Sequence, residues 1–278
     1  MRCDLEGAPI HYDSFGSGRP LVVLHGMPLD RHASIHEFEP ILSARTGWRR
    51  IYPDLPGHGE TAGAAAVTTP DELLGVLAEF VTAVLGNTRL VLAGTSFGGY
   101  LARGLVHRLG GRIDGLCLNV PAVVRDTTGT RAPRLVVADE EAIAAKSRDD
   151  GWAWYGELAV ADSAANREYA AAVNEAETDA AYLEALHGSG TPCSFERETL
   201  PTPLAAPTLI LAGRQDNVVG YEAALSILPS YPRATLAVLD RAGHMLRGEQ
   251  PLLFAALVNE WLDRVEEWIG AGRPGAGG

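Results

Sequence analysis

Ser96 stands between two glycines in Gly94-Thr95-Ser96-Phe97-Gly98, directly after the apolar run Leu90-Val91-Leu92-Ala93. A serine hydroxyl at its ordinary pKa is a poor nucleophile, so it needs a base, an acid that orients the base, and donors for a developing oxyanion. The local pattern suits such a role. A tight strand-to-helix turn that pushes a serine outward needs positive φ at that residue, and it brings the two arms of the backbone together. Residues two before and two after must therefore be small. The helix that follows directs the positive end of its dipole at Ser96. A dinucleotide-binding loop would require glycine where Ser96 stands, and a Walker loop would require Gly-Lys-Ser/Thr.

The base is expected in His244, within Arg241-Ala242-Gly243-His244-Met245-Leu246, just beyond the last strand candidate. Asp216, in Gly213-Arg214-Gln215-Asp216-Asn217, occupies the equivalent loop one strand earlier. Loops at the carboxyl ends of parallel strands gather at one edge of a sheet, so both can reach the serine. The backbone N–H groups of Met27 and Phe97 are the expected oxyanion donors, each following a core strand. His25, beside Met27, reads as structural.

These residues need elements to carry them. Short apolar runs alternate with stretches of helical period, the pattern of βαβ units and a mainly parallel sheet. Strand candidates are Pro20–Gly26, Arg49–Asp54, Arg89–Gly94, Ile113–Val120, Pro207–Gly213 and Ala234–Asp240, preceded by a hairpin around residues 8–18. Helices are expected over roughly 70–85, 97–109, 221–228 and 251–268. More than 80 residues separate the strand ending near Val120 from the one starting near Thr208, far beyond what one crossover needs. An α/β core of residues 1–120 and 204–270, a helical cap over 121–203 and a disordered tail over 271–278 are therefore expected. Trp152, Trp154 and Tyr155 in the cap are candidates to line a pocket or to pack the cap onto the core.

Composition narrows the partners. The chain has 278 residues, 46% of them hydrophobic, and a net charge of -12. That charge opposes binding to nucleic acid or to an anionic membrane, and no run is long and apolar enough for a transmembrane helix. A small-molecule substrate is the expected partner; nothing in the sequence sets an oligomeric state. Cys3, Cys117 and Cys193 match no zinc or redox spacing and fit a reducing cytoplasm. The amino-terminal Met1–Ile10 has no signal-peptide core, so the mature chain is expected to begin there. Lys146 is the only lysine among 23 basic residues, and alanine and glycine abound, as in GC-rich bacterial coding sequences. His32 and His36 share a helical spacing that a zinc pair would use. They lack the H-E-x-x-H glutamate and a third ligand, so neither a metal nor another cofactor is expected. Asp30 reads first as a helix N-cap.

Taken together, Leu24-His25-Gly26-Met27-Pro28, the run Tyr52–Thr61, Gly94–Ala102, Leu211–Val219 and Ala242–Leu246 resemble the α/β-hydrolase superfamily of capped serine hydrolases over residues 5 to 268. The chain order Ser96, Asp216, His244 is that superfamily's order and not that of the chymotrypsin or subtilisin folds. The resemblance implies a mostly parallel eight-stranded sheet with a lid after the sixth strand. It also implies that Ser96 attacks, His244 acts as base and then acid, and Asp216 fixes the imidazole tautomer. Asp54 and His58 fall in the family's structural loop motif, and Asp126, after the sixth core strand, is the fallback acid because some members of the family place it there. Ser96 replaces the aspartate of haloalkane dehalogenases and epoxide hydrolases, and His25-Gly26-Met27-Pro28 lacks the glycine-rich loop of proline iminopeptidases. Hydrolysis of a carboxylic ester or lactone is the leading expectation. C–C bond hydrolysis, aminopeptidase or hydroxynitrile chemistry, cofactor-free perhydrolysis and simple ligand binding remain alternatives, because the fold alone does not choose among them.

Overall fold

The computed structural model describes residues 1–5, 8–64, 66–124, 139–149, 151–188, 192–197, 200 and 202–273. Its sheet consists of β1 (Arg2–Cys3), β2 (Ile10–Phe15), β3 (Arg19–Leu24), β4 (Trp48–Pro53), β5 (Leu90–Thr95), β6 (Ile113–Asn119), β7 (Thr208–Gly213) and β8 (Ala234–Leu239). The spatial order is β1-β2-β4-β3-β5-β6-β7-β8. The β1–β2 and β2–β4 pairs are antiparallel; from β4 onward every pair is parallel. The chain leaves β3 for β4 on one side and then crosses to β5 on the other. That reversal opens a crevice at the carboxyl ends of β3 and β5, where the turn with Ser96 lies.

The central strands are apolar at consecutive positions because both faces are covered. In β3, Val22 and Leu24 join one core while Leu21 and Val23 join the other, and β5 divides Leu90 and Leu92 from Val91 and Ala93 in the same way. The first core is closed by α2 (Pro70–Leu85) and α3 (Phe97–Leu109), through Leu73, Leu77, Phe80, Leu101 and Leu105. The second is closed by α1 (Arg31–Leu42) and the carboxyl-terminal helix, through Phe38, Leu42, Phe254, Val258 and Trp261. Helix α2 begins where the sequence directs it. The Thr69 hydroxyl accepts the Glu72 N–H, the Glu72 carboxylate accepts the Thr69 N–H, and Pro70 presets the first turn.

Between β6 and β7 the described residues form α4 (Glu140–Lys146), α5 (Ala153–Leu158), α6 (Ala164–Asn174) and α7 (Ala180–Gly188). Ile143, Tyr155, Ala159, Tyr169 and Ala170 make a small core there, and Met245 from the loop after β8 enters it. The chain ends with α8 (Glu222–Ser226), α9 (Leu246–Glu249) and α10 (Pro251–Gly270). None of the described helices is long and apolar enough to cross a membrane.

Four expectations are corrected. Residues 8–18 are not a hairpin: β2 pairs with β1 and with β4, which lies between β2 and β3. The helix expected over 221–228 stops at Ser226 and tightens into a 3₁₀ turn, Leu228–Ser230, because Pro229 has no N–H to continue it. The set of ranged helices gains α1, which the sequence signals only by its Asp30 N-cap and the spacing of His32 and His36. The chain also stays held past residue 271, since the Arg273 guanidinium pairs with both Asp114 oxygens at 2.7 and 2.8 Å; residues 274–278 lie outside the described residues.

Candidate active site

Ser96 has φ 53° and ψ -116°, the strained turn that the motif requires. Its glycines are obligatory for packing. A Cβ on Gly94 would lie 2.4 Å from the Gly98 carbonyl oxygen, and one on Gly98 would lie 2.2 Å from that of Leu24. Both obstacles are backbone and cannot rotate away. Gly98→Ala is therefore expected to destabilise the fold by about 3 kcal/mol. A thermal melt would register this as a lowered midpoint; a wild-type midpoint would refute the steric reading.

The structure brings the three expected side chains together. His244 Nε2 is 3.0 Å from Ser96 Oγ, and His244 Nδ1 is 2.8 Å from Asp216 Oδ2. The other Asp216 oxygen, Oδ1, accepts the N–H groups of Val218 and Val219 at 2.9 and 3.1 Å. This carboxylate is thus an acceptor on all sides, so Nδ1 of His244 carries the proton and Nε2 accepts from the serine. Burial disfavours charge on His244, but Asp216 foremost, then Glu249 and Glu37, outweigh it and raise the imidazole above its ordinary value. A hydroxyl bonded to an imidazole that is held by a buried carboxylate can lose its proton as it attacks an electrophilic carbon.

The loop with His244 has its own support, which sequence reasoning did not find. Glu249 accepts the Gly243 N–H on one oxygen and the Val160 N–H on the other, each at 2.6 Å. One buried carboxylate so ties the residue before His244 to the segment that enters the cap. Its position five residues after His244 on α9 is the only signal the sequence offers. Glu37 was missed as well; it lies midway along helix α1, beyond the N-cap that the sequence signals at Asp30.

At the end of β3, Gly26 comes close to Ser96: a Cβ there would lie 3.3 Å from Ser96 Cβ. Register sets this approach, since Leu24 and Gly94 are paired across β3 and β5. Met27 lines the cavity in front of Ser96, and Phe97 is the first residue of α3. His25 is buried with Nδ1–H donated to the Gly26 carbonyl at 2.8 Å and Nε2 accepting the Leu55 N–H at 3.0 Å. Burial lowers its pKa to about 4 and that of His58 to about 3, so both are neutral braces. Asp54 accepts the N–H groups of Arg31 and Glu60 and the Arg31 guanidinium, fastening the loop after β4 to α1.

The cavity holds about 360 Å³, and its wall is predominantly apolar, with Leu29, Trp154, Leu158, Tyr169 and Met245 around Ser96 and His244. Of Trp152, Trp154 and Tyr155, only Trp154 lines it. Trp152 stacks on Trp154 with centroids 6.0 Å apart, and Tyr155 is buried in the small core between β6 and β7 with its hydroxyl on Asp162 at 3.0 Å. The expectation for Trp152 and Tyr155 as pocket residues is corrected accordingly: the turn of α5 sends successive aromatics to different sides. Asp30 is the N-cap of α1, its side chain accepting the His32 N–H at 2.9 Å. His32 is exposed and His36 sits beside Tyr169, so the pair does not converge. Among the described residues no group of three His, Cys, Asp or Glu side chains could hold a metal. Asp126 lies outside the described residues.

Comparison with known proteins places the chain among hydrolases of this fold. The chain is 24% identical over 269 residues to a 2-hydroxy-6-oxo-2,4-heptadienoate hydrolase of Pseudomonas putida, covering 92% of this chain and 93% of that one. It is 29% identical over 253 residues to a 2-succinyl-6-hydroxy-2,4-cyclohexadiene-1-carboxylate synthase of Salmonella typhimurium, covering 83% and 88%. A crystal structure of an alpha/beta superfamily hydrolase from Oenococcus oeni aligns with a TM-score of 0.82 at 27% identity, over 92% of this chain and 96% of that one. The alpha/beta hydrolase family itself matches residues 21–257, a span that contains Ser96, Asp216 and His244, and the chain belongs to that family.

Proposed function

We propose that the protein is a serine hydrolase that cleaves an uncharged carboxylic ester or lactone through an acyl-enzyme. The observation that carries this reading is the continuous hydrogen-bonded chain from Asp216 through His244 to Ser96. Ser96 Oγ attacks the carbonyl carbon as its proton passes to His244 Nε2. The tetrahedral oxyanion takes hydrogen bonds from the Met27 and Phe97 N–H groups, the imidazolium returns the proton to the leaving alkoxide, and the C–O bond breaks. Water, activated by the same imidazole, then releases the acid. The cavity favours a neutral substrate: among its described lining residues there is no lysine or arginine to hold a carboxylate.

A second reading is hydrolysis of a C–C bond in a dienoate ring-cleavage product, favoured by the name of the Pseudomonas putida relative. Turnover of p-nitrophenyl esters of graded acyl length, measured beside a ring-cleavage dienone, separates the two. The ester reading expects a burst of nitrophenol followed by steady turnover of short to medium acyl chains. Cleavage of the dienone without ester turnover would move the assignment to the second reading. Ligand-induced thermal stabilisation with no turnover of either would move it to a binding protein.

A further inference from the structure

The chemistry above leaves one buried carboxylate beside the serine without a role. Glu37, midway along α1, is 1% exposed. Its Oε2 accepts the Thr95 hydroxyl at 2.8 Å, and its Oε1 accepts the Asn119 side-chain amide. Thr95 immediately precedes Ser96 and lines the cavity. Asn119 ends β6, and its carbonyl accepts the Ser96 N–H at 2.9 Å. The covalent neighbour of the serine and its hydrogen-bonded neighbour are therefore both held by one carboxylate. Arg247, three residues past His244, joins the same cluster by donating from Nε to the Glu37 carbonyl at 3.2 Å.

Building the fold did not require a carboxylate here. An apolar side chain on α1 would pack between β5 and β6 without the desolvation cost of an acid. We propose that Glu37 is a positioning residue for Ser96 and His244: its carboxylate orients Thr95 and Asn119 on either side of the serine and, when ionised, adds its negative charge to those of Asp216 and Glu249 in the surroundings of His244. The inference rests on the roles given to Ser96 and His244 above.

The charges around Glu37 allow this. Burial pushes its carboxyl up to about 7, against the Thr95 hydrogen bond, the Arg247 charge, the Asn119 hydrogen bond and His244. The other titratable groups near it are Tyr52 from β4, Cys117 from β6 and Tyr169 from α6, all kept neutral by burial with Glu37 adding to the effect. Arg247 and protonated His244 are thus the cations that an ionised Glu37 meets. An imidazolium forms on His244 as Ser96 attacks, and a nearby anion favours it.

Glu37→Gln tests the charge with little change of shape. The glutamine Oε1 still accepts from Asn119, and the Thr95 hydroxyl can turn to accept from Nε2. At the pH plateau, kcat on an activated ester is expected to fall about tenfold with KM unchanged. Without the anion His244 ionises less readily, so the acid limb of kcat/KM moves to lower pH. Thr95→Val is expected to move that limb the same way by a smaller amount, because losing its hydrogen bond raises the pH at which Glu37 ionises and so leaves less of the anion beside His244.

Stability supplies a readout of opposite sign. A carboxyl whose value rises from 4.5 unfolded to about 7 folded binds its proton more tightly in the native state, so its contribution is favourable below 4.5 and is lost as pH rises to about 7. Glu37→Gln should therefore melt above wild type at pH 8 and lose that advantage at pH 5, while being the slower enzyme. A residue that only braced the fold would melt lower at both. Labelling of Ser96 by a fluorophosphonate, followed against pH, reports the same limb without any substrate. Labelling that survives Ser96→Ala would overturn the serine-hydrolase reading. Labelling that depends on Ser96 but keeps the wild-type rate and acid limb in both Glu37→Gln and Thr95→Val would overturn the role of Glu37 alone. If Glu37→Gln does not fold, an unmoved limb in Thr95→Val is sufficient to overturn it.

Discussion

Replacing Ser96 by alanine is expected to lower kcat on an activated ester by about 10⁵- to 10⁶-fold and to abolish fluorophosphonate labelling, with the fold intact. The fold should survive because alanine carries the same Cβ as serine through the strained turn at φ 53°, so no new contact arises. The chemistry should not survive, because His244 Nε2, 3.0 Å from Ser96 Oγ, would then face a methyl group with no proton to give. Residual rate would come from water and the oxyanion donors. Serine and histidine act as one unit, so His244→Ala should cost about as much, and the double variant little more than either single one. Steady-state and burst kinetics on a p-nitrophenyl ester measure this. Multiplicative losses in the double variant, or turnover retained in Ser96→Ala, would contradict a shared mechanism.

What the sequence made legible follows a physical divide. Ser96, Asp216 and His244 could be found because each sits next to a strong local signal: a glycine-flanked turn or a loop directly after a buried strand. The strands themselves were readable because β3, β5, β6 and β7 are covered on both faces and must be apolar throughout. Non-local pairing was not readable. Nothing in residues 8–18 says that β4, some 35 residues later, will insert between β2 and β3. Beyond its Asp30 N-cap, helix α1 was hidden for a different reason. It buries Arg31, Ser34 and Glu37 beside Phe38 and Leu42 and carries Pro40 within its last turn, so the usual apolar stripe is broken by polar groups and by a breaker residue. The polar groups that obscure the helix are those that hold the site together. Arg31 clasps Asp54, and Glu37 clasps Thr95 and Asn119. Trp152, Trp154 and Tyr155 show the remaining gap: neighbouring aromatics at the N-cap and first turn of a six-residue helix face a neighbour, a cavity and a core, and only tertiary contacts decide which.

Asp216→Asn is expected to be the most instructive substitution, because it keeps the size of the side chain yet should reduce kcat by about 10⁴-fold. The structure supplies the reason. Oδ1 of Asp216 receives two backbone N–H groups, from Val218 and Val219, and such a position admits only an acceptor. An asparagine must therefore place its carbonyl oxygen there and turn its NH₂ toward His244 Nδ1, now occupied by Oδ2 at 2.8 Å. A donor facing Nδ1 forces the proton of the neutral imidazole onto Nε2, the nitrogen that must accept from Ser96 Oγ. The base is then present, correctly placed and in the wrong tautomer. Asp216 is also the largest influence raising the His244 pKa, so its loss lets the imidazole lose its proton at lower pH. The acid limb of the residual kcat/KM should accordingly move downward even as the plateau collapses. A pH series of ester turnover for wild type and Asp216→Asn measures both effects at once. A variant within tenfold of wild type, or one whose acid limb stays in place, would show that another group, such as Asp126, supports the histidine.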